Sequence, residues 1–189
     1  MGFEFNEFAD SYLTQLRQAL DELPRDALMA FWQQVDTTRS EGGSVHFIGN
    51  GGSGATASHS AGDWSKELSL RTISHTDSAS AMTAWANDTE YSNVKVGQLS
   101  TFVRKGALVV GYSGSGNSEN VVNGIHFAND SGCRTAAITG DLDGMGGGKL
   151  AQAADIAVVA PTNSMEMIED IQLIVNHIIK EAVKAHHGL

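Results

Sequence analysis

The sequence predicts an α/β fold in which a parallel sheet is covered by helices on both faces. Short apolar runs typical of buried strands alternate with longer segments that have helical spacing. Two of the strand-to-helix junctions are rich in glycine and serine, as at the ligand-binding edge of open α/β sheets. The two prolines, Pro24 and Pro161, both fall between predicted elements. Together these observations indicate a doubly wound sheet.

Two helices are predicted before the first strand. Residues 4–21 carry apolar side chains three and four positions apart, and Pro24 ends this helix. Residues 27–38 repeat the pattern. We expect residues 1–40 to form a helical arm that takes part in oligomer packing.

Strands and helices alternate along the rest of the chain. Strands are predicted at 45–48, 71–74, 107–111, 135–138 and 155–159, and helices at 53–68, 79–86, 91–103, after Ser118 to about 131, and 165–186. A glycine-rich turn is predicted at 140–148. Because no linker or low-complexity segment interrupts the pattern, we expect one domain over residues 1–189.

The composition excludes several classes of protein. The 189 residues include 12 Lys and Arg against 22 Asp and Glu, a net charge of −10, so general nucleic-acid binding is not expected. Cys133 is the only cysteine, which excludes an internal disulfide or a thiolate metal cluster. No apolar run approaches the ~20 residues of a membrane span. The N-terminus lacks the pattern of a signal peptide, and we expect a cytoplasmic protein that does not bind membranes.

The two glycine–serine turns, residues 49–54 and 112–118, predict an anion site. Glycine allows close approach of the backbone, and the following helix N-terminus presents unpaired N–H groups to an anion. Serine hydroxyls can donate further hydrogen bonds. Neither turn ends in Gly-Lys-Ser/Thr, so neither is a P-loop. The outline GxGxxG at 49–54 leaves a dinucleotide-binding module as a minor alternative, with Asp77 as its acidic residue.

Several motifs resemble the sugar-isomerase (SIS) domain family, and within it the phosphoheptose isomerases. These motifs are Gly49-Asn50-Gly51-Gly52-Ser53 with His59, Trp85-Ala86-Asn87-Asp88, Ser113-Gly114-Ser115-Gly116-Asn117-Ser118, Thr139-Gly140, Gly147-Gly148-Lys149-Leu150-Ala151, and His177. The resemblance covers nearly the whole chain. It implies a three-layer, flavodoxin-like sheet with a long C-terminal helix, and a homotetramer with active sites between subunits. It also implies conversion of sedoheptulose 7-phosphate to D-glycero-D-manno-heptose 7-phosphate.

The resemblance also implies roles for individual residues. The substrate contacts are Asn50, Gly51, Gly52, Ser53, Asp88, Ser113, Gly114, Ser115 and Ser118. Asp63 and His177 are the acid–base pair, and His59, Asp63, Glu169 and His177 are the ligands of a zinc ion. The residue types suit aldose–ketose isomerisation, which moves a proton between adjacent carbons and needs a base and an acid.

Three departures from the family pattern bear on function. Asp63 stands in place of a glutamate, which retracts the carboxylate by ~1.5 Å, one C–C bond. Glu169 replaces a glutamine, and Glu67 occupies the position of a substrate arginine in a segment about six residues shorter than the family's. The lost arginine makes a shorter or differently phosphorylated sugar an alternative substrate. A non-catalytic SIS adaptor, which binds a phosphosugar or a protein such as a replication initiator, is the alternative function.

Overall fold

The computed structural model describes residues 2–189 as an α/β structure with one five-stranded sheet. The strands are β1 (Ser44–Ile48), β2 (Arg71–Ser74), β3 (Leu108–Ser113), β4 (Arg134–Gly140) and β5 (Ile156–Ala160). They pair in the order β2-β1-β3-β4-β5, and every pair is parallel. This is the strand order of flavodoxin-like folds, so the predicted architecture is confirmed.

Eight helices surround the sheet in the described chain. They are α1 (Phe5–Asp21), α2 (Arg25–Ser40), α3 (Gly51–Leu68), α4 (Ala79–Asp88), α5 (Val94–Phe102), α6 (Glu119–Asp130), α7 (Gly148–Ala153) and α8 (Met165–His187). Helix α8 is the predicted long C-terminal helix. No helix within residues 2–189 is both long and apolar enough to cross a bilayer.

The sheet separates two apolar cores and thereby forms the middle of three layers. Alternate residues of β3 point to opposite faces. Leu108 and Val110 join a core with α1, α2, α3 and α8, and Trp64 is fully buried in it. Val109 joins the second core, with α5, α6 and α7. The helical arm therefore packs on the same face of the sheet as α8.

The structure departs from the predicted elements in two places. The predicted helix 91–103 is a short 3₁₀ turn, Tyr91–Asn93, followed by α5. The predicted turn at 140–148 leads directly into α7, which the sequence analysis missed. The N–H of Leu150 donates to the carbonyl of Gly116 at 2.8 Å, so α7 packs against the second glycine–serine turn.

Candidate active site

The two glycine–serine turns lie side by side at the carboxyl edge of the sheet, because β1 and β3 are adjacent parallel strands. Asn50 precedes α3 in an extended conformation, and Gly51 follows with φ +53°. Ser113 is the last residue of β3, and Ser118 is the residue immediately before α6. Both helix N-termini therefore open onto the same edge, where open α/β sheets bind ligands.

A small cavity lies between these turns. It is lined by Asn50, Ser53, Tyr112, Ser113, Gly114, Ser115, Ser118, Met165 and Glu169. All four predicted serines line this cavity. The structure thus brings together the hydroxyl groups that the sequence places on two separate turns.

Hydrogen bonds hold the serine side chains in place. The Ser113 hydroxyl donates to Ser118 Oγ at 3.2 Å, and Ser115 Oγ accepts from the N–H of Asn117 at 3.2 Å. Ser53 Oγ donates to Gln172 Oε1 at 2.9 Å. Gln172 is fully buried and also donates to a β4 carbonyl, so it positions Ser53.

Asn50 belongs to a second hydrogen-bonded group at the mouth of the cavity. Its amide exchanges two hydrogen bonds with Asn120, at 2.8 and 2.9 Å. Tyr91 Oη donates to Asn50 Oδ1 at 3.0 Å. Asp88, predicted as a substrate contact, is exposed at the end of α4 and does not line the cavity between the turns. Its carboxylate accepts a hydrogen bond from Asn87.

His59, Asp63 and His177 form a separate cluster on the paired helices α3 and α8. The Nε2 atoms of His59 and His177 are 3.1 Å apart. Asp63 Oδ2 lies 3.2 Å from His59 Nε2 and 3.5 Å from His177 Nε2. The histidine side chains are 47% and 43% exposed, so the cluster opens to the surface.

These three donor atoms fit a tetrahedral metal ion. With metal–ligand bonds near 2.0–2.1 Å, two ligand atoms of a tetrahedral zinc site are separated by about 3.3 Å, which matches the observed separations. Two imidazoles and one carboxylate are also a donor set that zinc accepts. Asp63 reaches both histidines despite its shorter side chain.

Glu169, the fourth predicted ligand, lies outside the three-residue group that the structure brings together. Its carboxylate lies so close to the α-carbon of Gly52 that a β-carbon at that position would collide with it. Glu169 is eight residues before His177, about 12 Å along a helix. It therefore faces the serine cavity, while His177 lies beside Asp63.

Two lysines of α8 extend the charged cluster. Lys180 Nζ lies 3.4 Å from both Asp63 Oδ2 and Glu67 Oε2, and 3.2 Å from Glu181. Burial lowers the pKa of Lys180, but the hydrogen bond to Glu181 and the charges of Asp63 and Glu67 outweigh it and raise the pKa above its usual value. Lys184 contacts Glu67 at 2.6 Å, which lowers the pKa of that glutamate. The negative charge of Glu67 is thus balanced by the two ammonium groups.

Helix α8 carries a polar stripe that was not predicted from the sequence, formed by Gln172, Asn176 and Lys180. Each is buried, and their spacing of four residues places them on one helix face. Gln172 contacts Ser53 and Lys180 contacts Asp63, both on α3. Neither amide atom of Asn176 has a hydrogen-bond partner among residues 2–189. Polar residues at this spacing within an apolar helix are the signal that could have identified the stripe.

Comparisons with known proteins show what this chain is similar to. The family model described as the SIS domain matches residues 7–140. A phosphoheptose isomerase from Chlorobaculum tepidum is 32% identical over 185 residues, which cover 94% of this chain and 87% of the relative. A probable phosphoheptose isomerase from Thermoplasma volcanium is 34% identical, covering 89% and 82% of the two chains.

The fold is also found among solved structures. A phosphoheptose isomerase structure from Neisseria gonorrhoeae superposes with a TM-score of 0.90 at 24% identity, covering 96% of this chain and all of the other. One from Francisella tularensis superposes with a TM-score of 0.85 at 23% identity, covering 97% and 100%. At these identities the superpositions establish the fold.

Proposed function

The chain belongs to the SIS-domain family, and on this premise we propose that it is a phosphosugar isomerase. The reaction is the interconversion of sedoheptulose 7-phosphate and D-glycero-D-manno-heptose 7-phosphate, since relatives with 32% and 34% identity are named phosphoheptose isomerases. One observation carries the proposal. Helices α3 and α8 border a serine-lined cavity through Ser53 and Glu169, and they also carry the exposed His59–Asp63–His177 group.

The serine cavity supplies the phosphate and hydroxyl contacts in this proposal. Ser53, Ser113, Ser115 and Ser118, with the backbone of Gly51, Gly52 and Gly114, surround the bound anion, and Asn50 binds a sugar hydroxyl. Helix N-termini and hydroxyl groups stabilise a phosphate without a basic side chain. The acidic chain can therefore bind an anionic substrate. Glu169 borders this cavity, and we assign it to hydroxyl groups of the sugar instead of to a metal.

Asp63 and His177 act as the acid–base pair. Asp63 removes a proton from C1 of the ketose while His177 donates a proton to the C2 carbonyl oxygen, which forms an enediol. His177 then takes the proton of the C1 hydroxyl and Asp63 returns its proton to C2, so that carbonyl and hydroxyl change places. Asp63 Oδ2 and His177 Nε2 are 3.5 Å apart, close enough to serve adjacent substrate atoms. The cluster is open to solvent, which leaves room for a substrate chain.

His59, Asp63 and His177 would hold a zinc ion if one is bound. Three protein ligands with one open position are typical of catalytic zinc sites. A bound zinc ion would supply Lewis-acid stabilisation of negative charge on the substrate oxygens. The serine cavity would still bind the phosphate and orient the sugar. The single lone pair of His177 Nε2 cannot both bind the ion and take up a proton, so these two roles of that atom are alternatives.

The cavity and the acid–base pair lie far apart within one chain. Ser53 and Asp63 are ten residues apart on α3, about 15 Å along the helix axis. The exposed histidines are therefore well placed to face the serine cavity of another copy. We propose a homotetramer with active sites between subunits, packed in part through the helical arm, where Phe5 and Phe8 are 68% and 58% exposed. Asp88, exposed on α4, would contact substrate in this assembly.

Turnover tests the proposed activity. The purified protein is incubated with sedoheptulose 7-phosphate and with shorter ketose phosphates, with and without zinc, and aldose formation is measured. We expect the protein to form aldose from sedoheptulose 7-phosphate at the near-neutral pH of the cytoplasm. Absence of product from every substrate would refute the isomerase and favour the SIS adaptor.

Complementation tests the shared site. Ser115→Ala removes a cavity hydroxyl and Asp63→Asn removes the base, so each variant alone should have low activity at substrate concentrations below the KM of the parent. If sites form between subunits, mixed oligomers of the two variants contain some intact sites and regain activity. If each site lies within one chain, mixing restores nothing. Light scattering measures the number of copies in parallel.

A further inference from the structure

Lys180 contacts the same carboxylate oxygen that completes the His59–Asp63–His177 group. Asp63 Oδ2 lies 3.2 Å from His59 Nε2, 3.5 Å from His177 Nε2 and 3.4 Å from Lys180 Nζ. The side chain of Lys180 is only 9% exposed, whereas the two histidines are almost half exposed. The oxygen thus faces a metal-binding group on its outer side and a buried ammonium on its inner side.

Helix register makes this arrangement a fixed feature of the fold. Helices α3 and α8 run in the same direction, since Ser53 pairs with Gln172, His59 with His177, and Asp63 with Lys180. The difference in residue number within each pair is 119, 118 and 117, so it changes by only two along the helices. The register of the two helices therefore places Lys180 beside Asp63.

We infer that Lys180, acting through Asp63, weakens the affinity of the His59–Asp63–His177 group for divalent cations. An ion bound through Asp63 Oδ2, with a bond of about 2 Å, would lie within about 5–6 Å of the ammonium. Like charges at this distance repel, and partial burial reduces screening by solvent. Lys180 also donates a hydrogen bond to Asp63 Oδ2, and it therefore competes with the ion for the lone pairs of that oxygen. The inference rests on the metal-ligand role proposed for these three residues.

Lys184 provides a matched comparison on the same helix. Its Nζ contacts Glu67 at 2.6 Å and Glu181 at 3.5 Å, as Lys180 also contacts both glutamates. Within the described residues, however, Asp63 has an ion pair with Lys180 and none with Lys184. If zinc affinity depended only on the total charge of α8, replacing either lysine would change it equally. An effect that acts through Asp63 appears only when Lys180 is replaced.

Zinc affinity, measured by competition with a chromogenic chelator, tests the inference without any need for turnover. Every variant carries His187→Ala, because Asp36, His186 and His187 form a second group that could bind zinc. In this background we expect Lys180→Met to bind zinc on the order of tenfold more tightly than the parent. Lys180→Arg, which keeps the charge, and Lys184→Met should stay within about threefold of the parent.

The remaining controls make each result decisive. Adding His59→Ala to Lys180→Met should abolish the gain, which identifies the site measured. Circular dichroism checks folding, and Lys180→Gln replaces Lys180→Met if the methionine variant does not fold. If the parent binds zinc too weakly to measure, the neutral variant should bind measurably. Unchanged or weaker zinc binding in the neutral variant, or an equal gain in Lys184→Met, overturns the inference. If the isomerase proposal fails, the protein shows no turnover, but Lys180→Met still binds zinc more tightly than the parent.

Discussion

A buried pair of histidines should make the stability of this protein fall in mild acid. His46 on β1 and His75 after β2 are 3% and 1% exposed. His46 Nδ1 lies 3.0 Å from His75 Nε2, and the two rings are stacked. Burial lowers the pKa of His46 to about 4; burial, together with the charges of His46 and Lys95, lowers that of His75 to about 3.

The size of the effect follows from proton linkage. Each histidine is neutral in the native state above its lowered pKa, whereas in the unfolded chain it takes up a proton near pH 6.5. The unfolded state therefore binds more protons between pH 6.5 and about 4, so the stabilisation is complete above pH 6.5 and is lost as the pH falls. Between pH 7.5 and 5.0 the loss is about 2 kcal/mol for each histidine, about 4 kcal/mol for the pair.

Urea unfolding at pH 7.5 and at pH 5.0 measures this loss. His75→Gln removes one titrating group and should reduce the pH-dependent loss of unfolding free energy by about 2 kcal/mol. His126, exposed on α6, supplies the control, and His126→Gln should leave the loss unchanged. If His75→Gln and His126→Gln both keep the pH dependence of the parent protein, the buried histidine pair is not the source of the loss.

Further predictions concern the proposed site. Asp63→Asn should lower kcat by about 10²–10⁴-fold with the fold intact, because the amide cannot accept the proton; steady-state kinetics and circular dichroism test this, and near-normal kcat would exclude Asp63 as the base. Ser115→Ala should raise KM by about tenfold or more through loss of a hydrogen bond to the charged phosphate, and inorganic phosphate should inhibit the variant less; an unchanged KM would remove Ser115 from the site. Gly116→Ala should cost about 1–3 kcal/mol in urea unfolding, because φ is +65° and a β-carbon would collide with the carbonyl of Gly147; an undisturbed midpoint would contradict that contact.

The elements with strong local patterns were predicted correctly. The apolar runs at 45–48 and 107–111 correspond to β1 and β3, and the long periodic segment at 165–186 corresponds to α8. Helix α7 was missed because its six residues begin after Gly147, with φ +87°, and have little periodicity. Its first turn depends on the contact between Leu150 and the turn after β3. That contact joins residues distant in sequence, and no local pattern reports it.

In the candidate site, too, some features were predicted from the sequence and others were not. Adjacent serine-rich turns were predicted because parallel strands place their carboxyl ends at one edge, and all four serines do line one cavity. The motifs also predicted that His59, Asp63 and His177 act together, and the structure brings their donor atoms together. The predicted fourth ligand, Glu169, lies instead beside Gly52 at the start of α3.

The order of strands and helices, the parallel sheet and the residue types at its carboxyl edge could be predicted from the amino-acid sequence. These features follow from hydrophobic spacing and turn chemistry, which act over a few neighbouring residues. The pairing of residues between α8 and α3, in contrast, is set by tertiary packing. The parallel register of the two helices places Gln172 on Ser53 and Lys180 on Asp63, and leaves Glu169 with the cavity. Such register depends on the packing of whole helix faces against the sheet, and so the partner of the proposed base could be identified only in the folded chain.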